Sequence, residues 1–108
     1  ALGDIGTHFP DTDPQYKDVS SLLLLAYTRD KIAEAGFICQ NIDCTLIAEE
    51  PKIKPYVPQM IENISQVLRI SPGQVSIKAT TNEGMGFAGR REGMAAYAVC
   101  LLSAALGA

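Results

Sequence analysis

The chain predicts an α+β fold, with helices packed on one face of a small β-sheet. Three observations carry that reading. Two segments place apolar residues at helical spacing, two short β-branched segments alternate or run apolar, and the order along the chain is loop, helix, strand, loop, helix, strand. With 108 residues, 47% of them hydrophobic and 19% charged, there is apolar material for a core of moderate size and none of the bias that marks disorder or collagen.

Taken in order, residues 4–18 are rich in Gly, Pro, Asp and Thr and read as one long polar loop, of a length that in compact domains is usually functional or disordered. The first helix follows, with Leu22, Leu25, Ala26, Ile32 and Ala33 near helical spacing, Asp18 or Ser20 as its cap and Gly36 as its stop. Ile42 to Ala48 has apolar residues at the even positions and reads as a strand buried on one face. The charged loop from Glu49 to Pro55 leads into a second helix carrying Val57, Met60, Ile61, Ile64, Val67 and Leu68, where Pro58 is tolerable only in the first turn. After Ser71-Pro72-Gly73, Val75, Ile77 and Ala79 alternate with Ser76, Lys78 and Thr80 as a second strand. A glycine-rich stretch around Phe87, Arg90 and Arg91 separates it from the run Met94 to Leu106, which is rich in alanine like a helix and apolar on two sides like a buried strand.

A net charge of −3 argues against a general nucleic-acid binder, which needs a basic face to displace counterions. The longest apolar runs, Leu22 to Ala26 and Met94 to Leu102, are well short of the roughly 20 residues that span a bilayer. Cys39, Cys44 and Cys100 form no even-numbered framework and no paired zinc knuckle, which favours a reducing compartment. The chain opens on Ala1, and Ala1-Leu2-Gly3 reads like the tail of an earlier element. The expectation is therefore a single domain over residues 1–108, truncated at its front.

Several residue sets can carry chemistry. Asp11 and Asp13 suit a hard cation or sugar hydroxyls, although spacing alone favours an Asx-type turn between prolines. His8, the one histidine, reads as a packed or solvated side chain sooner than a ligand. Lys52, at the end of a strand, is placed for a phosphate or a polar base edge, against the plainer reading of a solvated loop lysine beside Lys54. Thr80, Thr81 and Glu83 offer two hydroxyls and a carboxylate at another strand exit. Hydroxyls on a turn cradle phosphate, and one carboxylate beside phosphate oxygens is a usual magnesium site, although spacing alone supports equally a plain strand end capped by Thr and Asn. Arg90 suits a carboxylate or a diphosphate, while Phe87, Cys44 and Cys100 read as packing residues.

The order of these motifs is more specific than any one of them. Asp4-Ile5-Gly6, Phe9-Pro10-Asp11-Thr12-Asp13, Ala48-Glu49-Glu50-Pro51-Lys52, Lys78-Ala79-Thr80-Thr81-Asn82-Glu83 and Gly86-Phe87-Ala88-Gly89-Arg90-Arg91-Glu92-Gly93 closely resemble, in register, the 2-C-methyl-D-erythritol 2,4-cyclodiphosphate synthase family of the non-mevalonate isoprenoid pathway. The resemblance implies a small mixed β-sheet, a homotrimer with active sites between neighbours, and a final run that is a strand. It implies a lyase in which the 2-phosphate of 4-diphosphocytidyl-2-C-methyl-D-erythritol 2-phosphate attacks the β-phosphorus and expels CMP. Thr81, Glu83 and Asp11 would be catalytic, with Glu83 holding magnesium or manganese between the α- and β-phosphates. By the same resemblance Asp4, with Ile5 and Gly6, would bind the ribose, and Phe9, Pro10, Asp11, Thr12 and Asp13 would cover the methylerythritol end. Ala48, Glu49, Glu50, Pro51, Lys52, Ile53 and Lys54 would line the cytidine pocket. Thr80, Thr81 and Asn82 would meet the phosphates, and Phe87 and Arg90 a cavity on the three-fold axis able to hold an isoprenoid diphosphate.

The family's zinc ligands, an Asp-x-His motif and a later histidine, would lie before Ala1, and His8 matches none of them. The partners implied are a small-molecule substrate and two further copies of the chain, with no nucleic acid and no membrane, in a bacterial cytoplasm or a plastid-type organelle. Two rival readings stand beside this one. The first is an inactive trimeric module that binds a cytidine nucleotide or an isoprenoid diphosphate, and the second is an unrelated α+β interaction domain.

Overall fold

A computed structural model describes residues 2–50, 52–81, 83, 85–86 and 93–105. The polar segment at residues 4–18 is not the unbroken loop its composition predicts. Asp4 stands in extended backbone and its carboxylate accepts from the Thr7 amide, which caps a single helical turn, α1 (Ile5–His8). Asp13 does the same for Gln15 and starts a 3₁₀ turn at Pro14–Tyr16. Loop composition and helix-capping composition coincide in these residues, so the two were indistinguishable by residue type.

Helix α2 (Ser21–Glu34) begins where Ser20 accepts from the Leu22 amide at 3.2 Å. Asp18 is not the cap, being held at φ 55°. The helix stops at Gly36, whose φ of +89° a Cβ would oppose, and the Gly36 carbonyl accepts from the Ala105 amide at 2.8 Å, tying this corner to the chain's last strand. Leu24, Leu25 and Ile32 are half-buried, whereas Leu22 and Ala33 remain exposed.

The sheet is mixed and has three strands, with the first in sequence at its centre. Central β1 (Phe37–Ile47) runs parallel to β2 (Val75–Thr80) and antiparallel to β3 (Ala95–Ala104). Parallel neighbours need a long crossover, and helix α3 (Val57–Leu68), with Pro58 in its first turn, supplies it. Strand β1 starts five residues before the expected Ile42. A bulge between Cys39 and Asn41 breaks the period-two pattern there, which hides the strand from any reading based on alternation. Gln40 at the bulge bonds both neighbours' elements: its side-chain amide donates to Ser103 Oγ at 2.7 Å, and its carbonyl accepts from Gln74 Nε2 at 2.6 Å. The ambiguous last run is a strand, as the resemblance implied, because pairing along the whole of β1 outweighs alanine's helix preference.

Helix α2 packs on β1 and α3 on β2, so both helices cover one face of the sheet. Cys39, Ala48, Leu68 and Val75 are buried there, and the one buried polar side chain among the described residues, Ser65, gives its hydroxyl to the Glu62 carbonyl at 3.1 Å. Helix α3 ends with Arg69 left-handed at φ 59°. Arg29 of α2 reaches across to donate from Nη1 to the Val67 carbonyl at 2.6 Å while pairing with Asp30. Strand β3 stays bare, with Tyr97, Val99 and Leu101 each 59% exposed or more on the face away from the helices.

Candidate functional site

The parallel pair β1 and β2 sets the site. The Ala48 amide donates to the Thr80 carbonyl at 3.0 Å, one ladder step beyond the last residue of β1, and from there the two chains diverge. A crevice of about 140 Å³ opens between them, lined by Ala48, Lys52, Ile53, Lys54, Ala79, Thr80 and Thr81. Crevices beyond the carboxyl ends of parallel strands are where open sheets take ligands, because the loops part and leave backbone donors unpaired. Lys52, Lys54, Thr80 and Thr81 are all exposed at its rim, so two cations and two hydroxyls face one opening. That combination suits a phosphorylated ligand.

Glu83 lies close to the end of β2. The Thr81 hydroxyl accepts from the Glu83 amide at a long 3.4 Å, and Glu83 sits at φ 52°, a conformation that an L side chain adopts at a cost of about 1–2 kcal/mol. A strained non-glycine residue bearing an exposed carboxylate next to a phosphate-sized crevice is a pointer to function. Glu49 and Glu50 lead out of β1 on the opposite loop.

The second set lies around α1. Asp4 Oδ1 accepts from both the Thr7 amide and the Thr7 hydroxyl at 2.9 Å, and these bonds hold the Asp4 carboxyl below its ordinary range. A shallow hollow of about 190 Å³ is lined by Leu2, Gly3, Asp4, Ile5, His8, Phe9, Thr28 and Lys31. His8 Nε2 meets the Leu2 carbonyl at 2.6 Å, so the histidine braces the hollow, in line with the packed reading of it. In the loop that follows, the two aspartates divide. Asp13 spends both oxygens on Gln15, on the amide at 3.1 Å and on the side chain at 2.9 Å, as the Asx-turn reading expected. Asp11 lies exposed at the loop's tip with Thr12. Phe9 packs inward against Tyr16 of the 3₁₀ turn and Tyr27 of α2, two aromatics that no residue pattern singled out.

The hollow and the crevice share no lining residue, so within one chain the two sets form separate half-sites. Pro51, Asn82, Phe87 and Arg90 lie outside the described residues. Of the cysteines, Cys39 is buried, Cys44 half-buried and Cys100 exposed, so Cys100 is not the packed residue expected; burial pushes the Cys39 and Cys44 thiols up. Among the described residues no three His, Cys, Asp or Glu side chains gather closely enough to hold a metal ion. No helix among them is long and apolar enough to cross a membrane.

Residues 1–103 match the YgbB family. The 2-C-methyl-D-erythritol 2,4-cyclodiphosphate synthase of Agathobacter rectalis is 55% identical over 103 residues, covering 95% of this chain and 58% of the relative. That of Syntrophomonas wolfei is 53% identical over 105 residues, covering 97% and 67%. Among solved structures, the bifunctional IspDF of Campylobacter jejuni superposes with a TM-score of 0.90 at 42% identity, over 95% of this chain and 28% of that one. The CDP complex of IspF from Plasmodium falciparum gives 0.81 at 34% identity, over 95% and 61%. The chain spans about three fifths of the length of the first of these curated relatives.

Proposed function

Because the chain belongs to the YgbB family, we propose that it forms the larger part of a cyclodiphosphate synthase, a lyase that converts 4-diphosphocytidyl-2-C-methyl-D-erythritol 2-phosphate to the 2,4-cyclodiphosphate and CMP. The observation that carries this reading is the crevice between the diverging ends of β1 and β2, with Lys52, Thr80 and Thr81 around it and the strained Glu83 beside it. Closing a phosphate onto a neighbouring phosphorus asks for little covalent work from a protein. It needs the floppy substrate folded so that attacking oxygen, phosphorus and leaving oxygen fall in line, and it needs the gathered negative charge offset.

The residues divide those tasks. Lys52 and the backbone from Ala48 to Lys54 take the cytidine, and Thr80 and Thr81 hold phosphate oxygens by hydroxyl donation. Asp4 takes the ribose hydroxyls, and the loop with Asp11 and Thr12 at its tip covers the methylerythritol end. Glu83 fits a divalent cation, since its carboxylate is exposed, its backbone is fixed by Thr81, and one carboxylate completed by phosphate oxygens is how magnesium is commonly held. Magnesium or manganese there would supply positive charge at the α- and β-phosphates. No ligand set for zinc gathers among the described residues.

A homotrimer follows from the same reading. The two half-sites of one chain are separate, and the bare face of β3 presents Tyr97, Val99 and Leu101, apolar surface that a neighbouring copy can cover. Three free cysteines go with a reducing location, either a bacterial cytoplasm or a plastid-type organelle.

The test is CMP release by the full-length protein, together with binding of a cytidine nucleotide. Wild type is expected to release CMP in step with the cyclic product, and Lys52→Ala to weaken cytidine binding at least tenfold. A wild-type protein with no affinity for any cytidine nucleotide overturns the proposal.

A further inference from the structure

We propose that Tyr27 is a positioning residue for the sugar end of the substrate, acting through the Phe9 ring on the loop at residues 9–13; this rests on the cyclase reading above. Phe9 stands edge-on to Tyr16, with ring centroids 5.3 Å apart and planes at 82°. It meets Tyr27 at 6.2 Å and 31°, and Tyr16 meets Tyr27 at 6.5 Å and 67°. All three pairs fall within the centroid range in which aromatic rings attract. Lys31, one turn after Tyr27 on α2, closes the cluster with its Nζ 5.9 Å from the Phe9 centroid.

The loop's two ends are therefore fastened to one side chain of a rigid helix. Phe9 enters the loop, Tyr16 leaves it, and both rings rest on Tyr27. Between them the Asp13 amide donates to the Pro10 carbonyl and the Tyr16 amide to the Asp13 carbonyl, each at 3.1 Å, so the span holds its own turns. What protrudes is the tip, Asp11 and Thr12. Tyr27 is 38% exposed, on the outer side of α2, where the core gains little from it. The arrangement orders the tip before substrate arrives, and the entropy of ordering is met during folding.

The experiment uses the full-length protein with Tyr27→Ala and Tyr27→Phe. Losing the central ring is expected to raise KM for the diphosphocytidyl substrate about tenfold, the size of one or two aromatic contacts. Affinity for free CMP stays unchanged, because the proposed base contacts lie on the other loop and Asp4, the proposed ribose contact, is held by its bonds to Thr7 and not by the aromatic cluster. Exchange of the amides of residues 11–13 and 15–17 quickens in Tyr27→Ala while exchange in β1 stays at the wild-type rate. Tyr27→Phe restores both readouts, since the ring and not the hydroxyl acts. Turnover by wild type with an unchanged KM in Tyr27→Ala overturns this proposal alone, as does unchanged exchange or a parallel loss of CMP affinity. A wild-type protein that neither binds cytidine nucleotides nor releases CMP overturns the functional reading and this one with it.

Discussion

Substituting Glu83 by Gln and by Gly separates what its carboxylate does from what its backbone costs. Glu83 holds φ at 52°. An L residue there stands about 1–2 kcal/mol above its relaxed state, and glycine is free of that cost. Glycine in turn loses about 0.5–1 kcal/mol to the larger entropy of its unfolded chain. Glu83→Gly is thus expected to stabilise the fold by roughly 0.5–1 kcal/mol, or about 2–4 °C in Tm. Glu83→Gln keeps the backbone and the shape, so stability stays within about 0.5 kcal/mol of wild type. Both variants lose the charge that would hold a divalent cation against the phosphates, and turnover should fall about 100-fold, the usual loss when one preorganised electrostatic contact is removed. Thermal unfolding and CMP release, measured over a range of magnesium and manganese concentrations, read the two effects separately. A glycine variant less stable than wild type refutes the strain argument. Wild-type turnover in Glu83→Gln removes the residue from the metal role.

Three further outcomes are expected. Val99→Asp places a charge on the bare face of β3 and should convert a trimer to monomers in sedimentation, with loss of CMP release; a trimer that persists shows that this face is not the contact. The Thr7 bonds depress the Asp4 carboxyl, so the cap they form is fully present above the ordinary Asp value of 3.8 and fails as pH falls through the lower folded value; the Thr7 amide shift in an acid titration should therefore have its midpoint below 3.8. Burial raises the Cys39 and Cys44 thiols, so iodoacetamide at pH 8 should alkylate both more slowly than it alkylates free cysteine, and equal rates would contradict their burial.

The elements that pack in a simple period were legible from residues alone. Helix α3, with its apolar stripe and its proline in the first turn, appears as read over Val57–Leu68, and β2 as read from Val75 to Thr80. Where two principles compete, the reading fell short. The bulge at Gln40 cancels the alternation that would have extended β1 back to Phe37, and Asp4 and Asp13 act as caps inside a segment whose composition is that of a loop. The site divides in the same way. Lys52, Thr80 and Thr81 were legible because strand ends collect ligands, and the crevice brings them together. The left-handed backbone of Glu83 left no mark in residue type, and the aromatic cluster on Tyr27 joins residues from three elements that no single period links.

The reach of Arg29 to the Val67 carbonyl has a consequence for the assembly. Its side chain is only 22% exposed and acts as a strut between α2, whose Tyr27 supports the loop at residues 9–13, and the far end of α3, the helix that follows Lys52 and Lys54. In the trimer proposed above, where each chain would lend its two half-sites to different pockets, that strut would brace the elements behind the two half-sites against each other. Together with the packing of both helices on the sheet, it would let such an assembly keep its pockets at a fixed spacing.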